Sequence, residues 1–437
     1  MTKQIHRLDP PTKPNSGEAE ERILIRGGKP LYGTIRIGGA KNAVLKMMAA
    51  ALLSEDVCVL KNVPNLTDVH MMADVLRHLG AIVDITDGEV RINARDVNDY
   101  EAPYELVSQL RASFVVLGPL LSRFHQAKVS LPGGCAIGER RIDLHEKGLK
   151  ALGAEVGIDH GYVYASAEKL VGTRILLERP SNGATENIML AAVLAEGQTV
   201  IENAAQDPEI SNLAEFINAI GGKVTGAGTY TITIDGVSQD ELHGCVVDTI
   251  PDRCEAGTFI YAVCATGGEI TMEGANPHHL YSVINKASEM GAEVAIYAPD
   301  TIKVKATGRM KATDATTVPY PGFPTDLQAP LMAALVTAEG TSIITETIYE
   351  NRFMQVAELR RMAADIALTG NAAVVKGVNK LMGAEVRASD LRAAAALIVA
   401  GLAADGVTEI TGLHHLDRGY EKLEEKFRQL GADIWRR

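Results

Sequence analysis

Cysteine, tryptophan and long apolar runs are scarce in this sequence, and each scarcity argues against a class of protein. The five cysteines are scattered and form no C-x-x-C pair. This pattern predicts reduced thiols in a cytoplasmic protein rather than a disulfide framework or a zinc site. The longest apolar run, residues 393–404, is too short for a membrane-spanning helix, which needs about 20 residues. Residues 1–21 carry three prolines and no apolar segment, so we expect a flexible tail and no signal peptide.

The chain also lacks an excess of positive charge. Its 43 Lys and Arg residues face 55 Asp and Glu residues, so the formal net charge is −12. This charge counts against a nucleic-acid partner, because phosphate backbones bind to basic faces. An anionic substrate would need local clusters of Arg and Lys. The sequence has no metal-ligand cluster, cofactor motif or P-loop. Its 437 residues, 46% of them hydrophobic, predict two or three globular domains and leave the oligomeric state open.

What the sequence does have is an internal repeat of about 70 residues. A helical pattern ends six times in a Leu-Gly-Ala-x-Val phrase, and the six phrases begin at Leu79, Leu152, Ile220, Met290, Met362 and Leu430. Each phrase predicts a helix that is closed by a small residue and followed at once by a strand. A second helix in each unit is apolar on nearly all sides, as residues 393–404 are, and should therefore be buried. The repeat predicts an α/β fold with two domains of three units, helices inside and sheets outside.

The most distinctive stretch is residues 131–145, LPGGCAIGERRIDLH. Gly133 and Gly134 free the backbone for conformations that other residues avoid, so that amide groups can face an anion. Cys135 lies at the tip of this loop, and Arg140 follows within six residues. A thiol beside fixed positive charge has a lowered pKa and can act as a proton donor or a nucleophile. Spacing alone leaves open a structural alternative, a buried thiol beside surface arginines.

Four other stretches contain residues that could bind substrate or catalyse a reaction, and each residue could instead have a purely structural role. Lys41 in GGAKN begins a helix, where a phosphate can bind, but it could also be solvated. Arg111 opens an apolar helix and could simply form a salt bridge. Ser181 in SNGAT and Asp326 in FPTDLQ stand where helix N-caps are common.

Together these motifs resemble the UDP-N-acetylglucosamine enolpyruvyl transferases. The resemblance rests on LPGGCAIG followed by an arginine and DLH, and it extends from about Ile23 to Ile434 through GGAKN, SNGAT, PDRCEAGT, FPTDLQ, DLR and DRGYE. It implies a two-domain inside-out α/β barrel with the active site in the cleft. Domain I would comprise residues 22–40 and 250–437. Domain II, residues 41–249, would carry the Cys135 loop.

The same resemblance implies the activity and the site. Members transfer the enolpyruvyl group of phosphoenolpyruvate to the 3-hydroxyl of UDP-N-acetylglucosamine, the first committed step of peptidoglycan precursor synthesis, with no metal or cofactor. Cys135 would be the acid and Asp326 the base, with Lys41 and Arg418 also catalytic. The residues expected to bind phosphoenolpyruvate are Lys41, Arg111, Arg140, Arg392 and Arg418. Those expected to bind the sugar nucleotide are Asn42, Arg111, Asp143, Leu144, His145, Ser181, Gly183, Asp326 and Ile348.

The chain departs from the usual pattern of this family at several positions. Lys46 and Arg141 replace prolines, and the second change leaves the shape of the uracil pocket open. Asp207 replaces a glutamate and Tyr349 a phenylalanine. Cys254, which has no glycine loop, is predicted to be structural. Two alternatives remain for the function: enolpyruvyl transfer to shikimate 3-phosphate, and a silent paralogue that binds sugar nucleotide as a regulator.

Overall fold

The computed structural model describes residues 20–108, 110–131 and 142–437. Within these residues the chain forms short strands and helices that alternate along its length. The strands are β1 Ile23–Arg26, β2 Leu31–Arg36, β3 Cys58–Lys61, β4 Ile82–Thr86, β5 Glu89–Asn93, β6 Glu101–Ala102, β7 Gln126–Ser130, β8 Glu155–Asp159, β9 Tyr162–Ser166, β10 Arg174–Leu176, β11 Gln198–Glu202 and β12 Lys223–Thr225. They continue with β13 Thr231–Asp235, β14 Val246–Asp248, β15 Gly268–Glu273, β16 Glu293–Ala298, β17 Thr301–Ala306, β18 Ala315–Thr316, β19 Thr341–Thr345, β20 Asp365–Thr369, β21 Ala372–Lys376, β22 Glu385–Arg387, β23 Val407–Thr411 and β24 Asp433–Arg436.

The helices fall into two kinds, one apolar and one amphipathic, which alternate through the repeat. They are α1 Lys41–Ala50, α2 Thr67–His78, α3 Tyr104–Val107, α4 Leu117–Phe124, α5 Asp143–Ala151, α6 Asn182–Ala192, α7 Pro208–Ala219, α8 Arg253–Thr266, α9 Tyr281–Met290, α10 Gln328–Leu335, α11 Gln355–Arg361, α12 Leu391–Ala403 and α13 Leu423–Gln429. The short α3 lies outside this alternation. Among the described residues no helix is both long and apolar enough to cross a membrane.

The described strands form six four-stranded sheets with one common pattern. In each sheet one edge strand runs parallel to its neighbour, and the other two strands add in antiparallel fashion; β18-β19-β21-β20 is an example. Three sheets draw all their strands from β3 to β14. The other three combine β15 to β24 with the two N-terminal strands: β1 lies between β23 and β24, and β2 pairs with β15. Six copies of one sheet confirm the predicted repeat.

The repeated phrase forms the turn between an amphipathic helix and the strand after it. In five copies its second residue is a glycine with positive φ, for example +104° at Gly80 after α2 and +103° at Gly291 after α9. Glycine ends a helix in this left-handed conformation without a steric penalty. The copy that begins at Met362 has Ala363 in this place, with φ of +69°. The phrase therefore encodes the same backbone turn even where glycine is absent.

Two hydrophobic cores lie inside the sheets. One is built from residues 40–242 and the other from residues 23–37 and 256–434. The apolar helices α8, α10 and α12 pack against one another in the second core. In α12 every residue from Arg392 to Leu402 is buried, so this helix has no solvent face. The arrangement confirms the predicted inside-out α/β barrel, while the domain boundaries at residues 40 and 250 stay a prediction.

Candidate active site

Lys41 and Asn42 lie at the N-terminus of α1, where the backbone packs tightly against neighbouring segments of the chain. The turn before α1 requires glycine at residue 39, because a Cβ there would lie 1.7 Å from the carbonyl oxygen of Asn62. The same turn is tied to the chain around residue 251 by a β-bridge from Gly39 to Pro251. Lys41 is the first helical residue, and its side chain is only 13% exposed.

Lys41 and Arg418 share one buried carboxylate. The Lys41 Nζ lies 3.1 Å from Oδ2 of Asp68, and the Arg418 Nε lies 2.8 Å from Oδ1 of the same residue. Asp68 stands in the first turn of α2, and its side chain is 2% exposed. Two cations that the sequence predicted separately are therefore held together by an acid that it did not predict.

Asp326 is paired with two arginines in the same way. It lies in the 3₁₀ turn Thr325–Leu327, just before α10. Its Oδ1 accepts a hydrogen bond from Nη2 of Arg352 at 2.6 Å, and its Oδ2 accepts one from Nη2 of Arg392 at 2.8 Å. Both arginine side chains are less than one tenth exposed. Arg392 is aimed by the N-cap of α12, where the Asp390 carboxylate accepts its backbone N–H.

These two groups form one charged cluster, defined here as Lys41, Asp68, Asp326, Arg352, Arg392 and Arg418. Burial lowers the pKa of Lys41, Asp68 opposes that shift, and the positive charges of Arg392 and Arg418 add to it. Lys41 and Arg392 are therefore within electrostatic range of each other. The cluster carries four cations against two carboxylates. It can therefore hold an anion with several charges.

The charge state of Asp326 follows from its partners. Burial alone would raise the pKa of its carboxyl group, but Arg392 and Arg352 outweigh burial and hold the pKa well below its usual range. Asp326 is therefore ionised, as a proton acceptor must be. The Cys254 thiol lies 3.8 Å from its Oδ2, and burial raises the pKa of that thiol, so Cys254 stays neutral and donates a weak hydrogen bond.

A second buried acid, Glu346, arranges the loop that carries Ile348. Its Oε1 accepts the backbone N–H of Ile348 at 2.8 Å and that of Tyr349 at 3.2 Å. Its Oε2 accepts the hydroxyl of Thr325 at 2.8 Å, next to Asp326. A single carboxylate thus holds the predicted sugar-facing loop and the residue that precedes the predicted base.

His145, at the start of α5, is the best-defined part of the predicted nucleotide corner. The Asn187 Oδ1 accepts the backbone N–H of Gly118, so its Nδ2 is the atom that donates to Nδ1 of His145, at 3.0 Å. Phe114 packs edge-on against the imidazole, with ring centroids 5.1 Å apart. Burial lowers the pKa of His145 to about 3, and the charges of Lys46 and Arg111 contribute. His145 is therefore neutral and carries its proton on Nε2.

The first turn of α6 lies against this imidazole. A Cβ at residue 183 would lie 3.2 Å from Cε1 and Nε2 of His145, so the close approach favours glycine at this position. Ser181 caps the helix by accepting the N–H of Ala184 at 3.4 Å, which leaves the backbone amides at the helix start. Its part in binding the sugar nucleotide stays a prediction. Asp143 pairs with Arg179, and Leu144 is buried.

Helix α1 connects the charged cluster to this corner, because it carries Lys41 at its start and Lys46 further along. Asn42 lies on α1 next to Lys41, and Lys46 lies one turn further along the same helix face. The Lys46 ammonium pairs with Glu186 of α6 at 2.6 Å. Arg111 begins the 3₁₀ helix Arg111–Val116 and is close enough to His145 to lower its pKa.

Three predicted residues, Cys135, Arg140 and Arg141, lie outside the described residues. Within the part of the chain that the structure describes, no three His, Cys, Asp or Glu side chains are grouped as metal ligands. Sequence reasoning missed Asp68, Glu346 and the contact of Cys254 with Asp326. Two of these contacts join distant parts of the chain, since Asp68 and Arg418 are 350 positions apart and Cys254 and Asp326 are 72 apart. Glu346, by contrast, is only two residues from Ile348.

Comparison with known proteins agrees with this geometry. A protein-family model described as EPSP synthase (3-phosphoshikimate 1-carboxyvinyltransferase) matches residues 25–427. The chain is 52% identical over 416 residues to UDP-N-acetylglucosamine 1-carboxyvinyltransferase 1 of Caldanaerobacter subterraneus, covering 95% of this chain and 99% of that protein. It is 53% identical over 418 residues to UDP-N-acetylglucosamine 1-carboxyvinyltransferase 2 of Carboxydothermus hydrogenoformans, with the same coverage.

Solved structures show the same fold. The crystal structure of the enolpyruvyl transferase NikO from Streptomyces tendae superimposes with a TM-score of 0.86 at 25% identity, over 96% of this chain and 99% of that chain. EPSP synthase from Acinetobacter baumannii gives a TM-score of 0.72 at 20% identity, over 95% and 100%. The family match, the sequence relatives and the shared fold all lead to one conclusion: the chain belongs to the 1-carboxyvinyltransferase, or enolpyruvyl transferase, family.

Proposed function

We infer that this chain is a UDP-N-acetylglucosamine 1-carboxyvinyltransferase. It transfers the enolpyruvyl group of phosphoenolpyruvate to the 3-hydroxyl of the sugar nucleotide and releases phosphate, as the first committed step of peptidoglycan precursor synthesis. The names of the relatives at 51–53% identity support this substrate pair. The observation that carries the inference within the structure is the charged cluster, which offers four cations to one polyanionic reactant.

The reaction needs an acid and a base on the two reactants. Carbon 3 of phosphoenolpyruvate gains a proton, which we assign to the Cys135 thiol, while the sugar 3-hydroxyl oxygen attacks carbon 2. The hydroxyl proton passes to the Asp326 carboxylate. The resulting tetrahedral ketal then expels phosphate, which takes the proton held by Asp326. One carbon-3 proton returns to the Cys135 thiolate, and the double bond is restored. The nearby cations stabilise the negative charge on the phosphate and carboxylate throughout.

The low pKa of Asp326 fits this role only if substrate binding changes its partners. With two guanidinium groups bound, the carboxylate is ionised but weakly basic. Phosphoenolpyruvate carries a carboxylate and a phosphate that compete for Arg392 and Arg352. As their hydrogen bonds turn towards the substrate, the pKa of Asp326 rises towards its ordinary range. Binding of one substrate would thereby activate the base for the other.

The proposed site draws on both predicted domains. Asp326, Arg392 and Arg418 belong to residues 250–437, whereas Cys135 and Ser181 belong to residues 41–249. We therefore propose that the cleft closes when substrate binds, which would exclude water from the reactive ketal. We also propose a cytoplasmic location, because the mechanism depends on a reduced Cys135 thiol.

The acceptor is the part of the proposal that a direct assay tests. Phosphate release from phosphoenolpyruvate is measured with UDP-N-acetylglucosamine and, separately, with shikimate 3-phosphate. We expect release with the sugar nucleotide only, since the His145 corner is proposed to bind a nucleotide and shikimate 3-phosphate has none. Release with shikimate 3-phosphate alone would overturn the assignment. Release with neither acceptor, together with sugar-nucleotide binding, would favour a silent paralogue.

A further inference from the structure

Asp68 is a buried acid whose two oxygens hold cations from different parts of the chain. Its Oδ2 binds the Lys41 ammonium at the start of α1, and its Oδ1 binds the Arg418 guanidinium near the C-terminus. The backbone N–H of Thr67 also donates to the carbonyl oxygen of Asp417 at 3.2 Å. The start of α2 is thus joined to the segment of Arg418 by main chain and side chain together.

The contact leaves donors free on both cations. Arg418 binds Asp68 through Nε, and its terminal nitrogens have no hydrogen-bond partner among the residues that the structure describes. Lys41 has three N–H donors, of which Asp68 takes one. A carboxylate that anchors each cation by one donor fixes the direction of the others. Asp68 itself is 2% exposed and cannot reach a substrate without leaving this position.

We propose that Asp68 is a positioning residue that aims Lys41 and Arg418 at the phosphate of phosphoenolpyruvate. The inference rests on the proposed function and assigns a role to a residue outside the predicted site. Removing this acid would leave two cations close together without a shared anion. They would then repel each other and lose their common orientation.

The role has a pH signature that a merely structural residue would not produce. Among the residues that the structure describes, the charged groups with the largest effect on Lys41 are Asp68, Arg392 and Arg418. Burial lowers the Lys41 pKa and the two arginines add to this shift, whereas Asp68 alone among the three opposes it. Without the Asp68 charge the pKa of Lys41 falls further. Lys41 would then lose its proton, and its affinity for phosphate, at a lower pH.

Glu186 provides a matched control. It pairs with Lys46 at 2.6 Å, and the two side chains are 3% and 15% exposed, against 2% and 13% for Asp68 and Lys41. Asp68→Asn and Glu186→Gln each remove one buried negative charge beside a lysine. Both should lower the midpoint of urea unfolding. Only the first should change the use of phosphoenolpyruvate.

The test is a steady-state comparison over pH 6–10. For Asp68→Asn we expect KM for phosphoenolpyruvate to rise about 10- to 100-fold. This is the loss of affinity expected when one hydrogen bond to a charged group is lost. The alkaline limb of kcat/KM should move to lower pH, while sugar-nucleotide affinity stays near that of the wild type. Asp68→Glu keeps the charge, so its alkaline limb should stay in place although KM rises.

Three outcomes would overturn the inference. They are a folded Asp68→Asn enzyme with an unchanged KM and alkaline limb, an equal shift of that limb in Glu186→Gln, or a shift of that limb in Asp68→Glu. If Asp68→Asn does not fold, the Asp68→Glu comparison decides alone. A wild-type chain that transfers no enolpyruvyl group to the sugar nucleotide would instead remove the proposed function, so the two failures are distinguishable.

Discussion

Replacing Asp326 by asparagine should damage both stability and turnover, and the structure predicts how the two effects separate. Asparagine keeps the shape and one acceptor oxygen but loses the negative charge between Arg352 and Arg392. Both guanidinium groups are less than one tenth exposed. Removing one partner from a buried ion pair costs about 3–5 kcal/mol. Because the amide oxygen still accepts from one arginine, we expect the lower end, about 3 kcal/mol of unfolding free energy at pH 7.

The pH dependence of this loss follows from the pKa of Asp326. Its pKa in the folded protein lies well below the value of about 3.9 expected in the unfolded chain. The ion pairs therefore stabilise the folded state fully above about pH 4, and this contribution is lost as the pH falls towards the folded pKa. The difference between wild type and Asp326→Asn in urea unfolding should be constant from pH 7 to about pH 5. It should shrink below about pH 4, where only the wild type takes up a proton at this position.

Turnover is measured on the folded variant at saturating substrate. Loss of a general base lowers the rate by about 10²- to 10⁴-fold, and sugar-nucleotide binding should be largely kept. Glu409→Gln is the control, because Glu409 pairs with Arg22 at the same 2.6 Å, but the Arg22 side chain is 39% exposed, against 7% for Arg352. The loss in Glu409→Gln should therefore stay within about 1 kcal/mol. Near wild-type turnover in Asp326→Asn would remove Asp326 from the mechanism. A stability difference that persists unchanged at pH 2 would refute the assigned pKa.

Three further changes test other parts of the molecule. Cys135→Asp should retain measurable transfer and resist alkylation by the epoxide fosfomycin, whereas Cys135→Ser should be severely impaired. Phosphate release with and without the epoxide measures both effects, and an active serine variant beside an inactive aspartate variant would rule out the acid role. Small-angle scattering should show a more compact molecule when the sugar nucleotide is added, and identical profiles would count against cleft closure. Ala363→Gly should raise the unfolding free energy by up to about 1 kcal/mol, because alanine is strained at positive φ; a lower melting temperature would contradict this.

The fold could be predicted from the sequence because its signal is local and repeated. A glycine that follows an amphipathic helix predicts a left-handed turn, and Gly80, Gly153, Gly221, Gly291 and Gly431 all adopt one. Six copies of one signal make the unit, and hence the fold, evident. The ends of single helices were harder to predict from the sequence. Helix α6 begins at Asn182 because Ser181 caps it, whereas the pattern of apolar residues alone predicts a start several residues later.

The site was predictable only in part, since the sequence reveals cations more readily than their partners. Lys41, Asp326, Arg392 and Arg418 come together as expected from their motifs. Their counter-charges come from distant segments. Asp68 appears in the sequence as an ordinary acid in the first turn of a helix. In the folded chain it pairs with Arg418, and no spacing rule connects the two residues.

The position of β1 has a consequence for how the protein is made. This strand, at Ile23–Arg26, lies between β23 and β24, the last two strands of the chain. A ribosome adds about 5–20 residues per second, so β1 waits roughly 20–80 seconds after synthesis before both neighbours exist. Until then its apolar residues, Ile23 and Ile25, have no sheet to join. The sheets formed by β3 to β14 can meanwhile complete themselves. The sheet that contains β1 can consequently form only after nearly the whole chain has been synthesised.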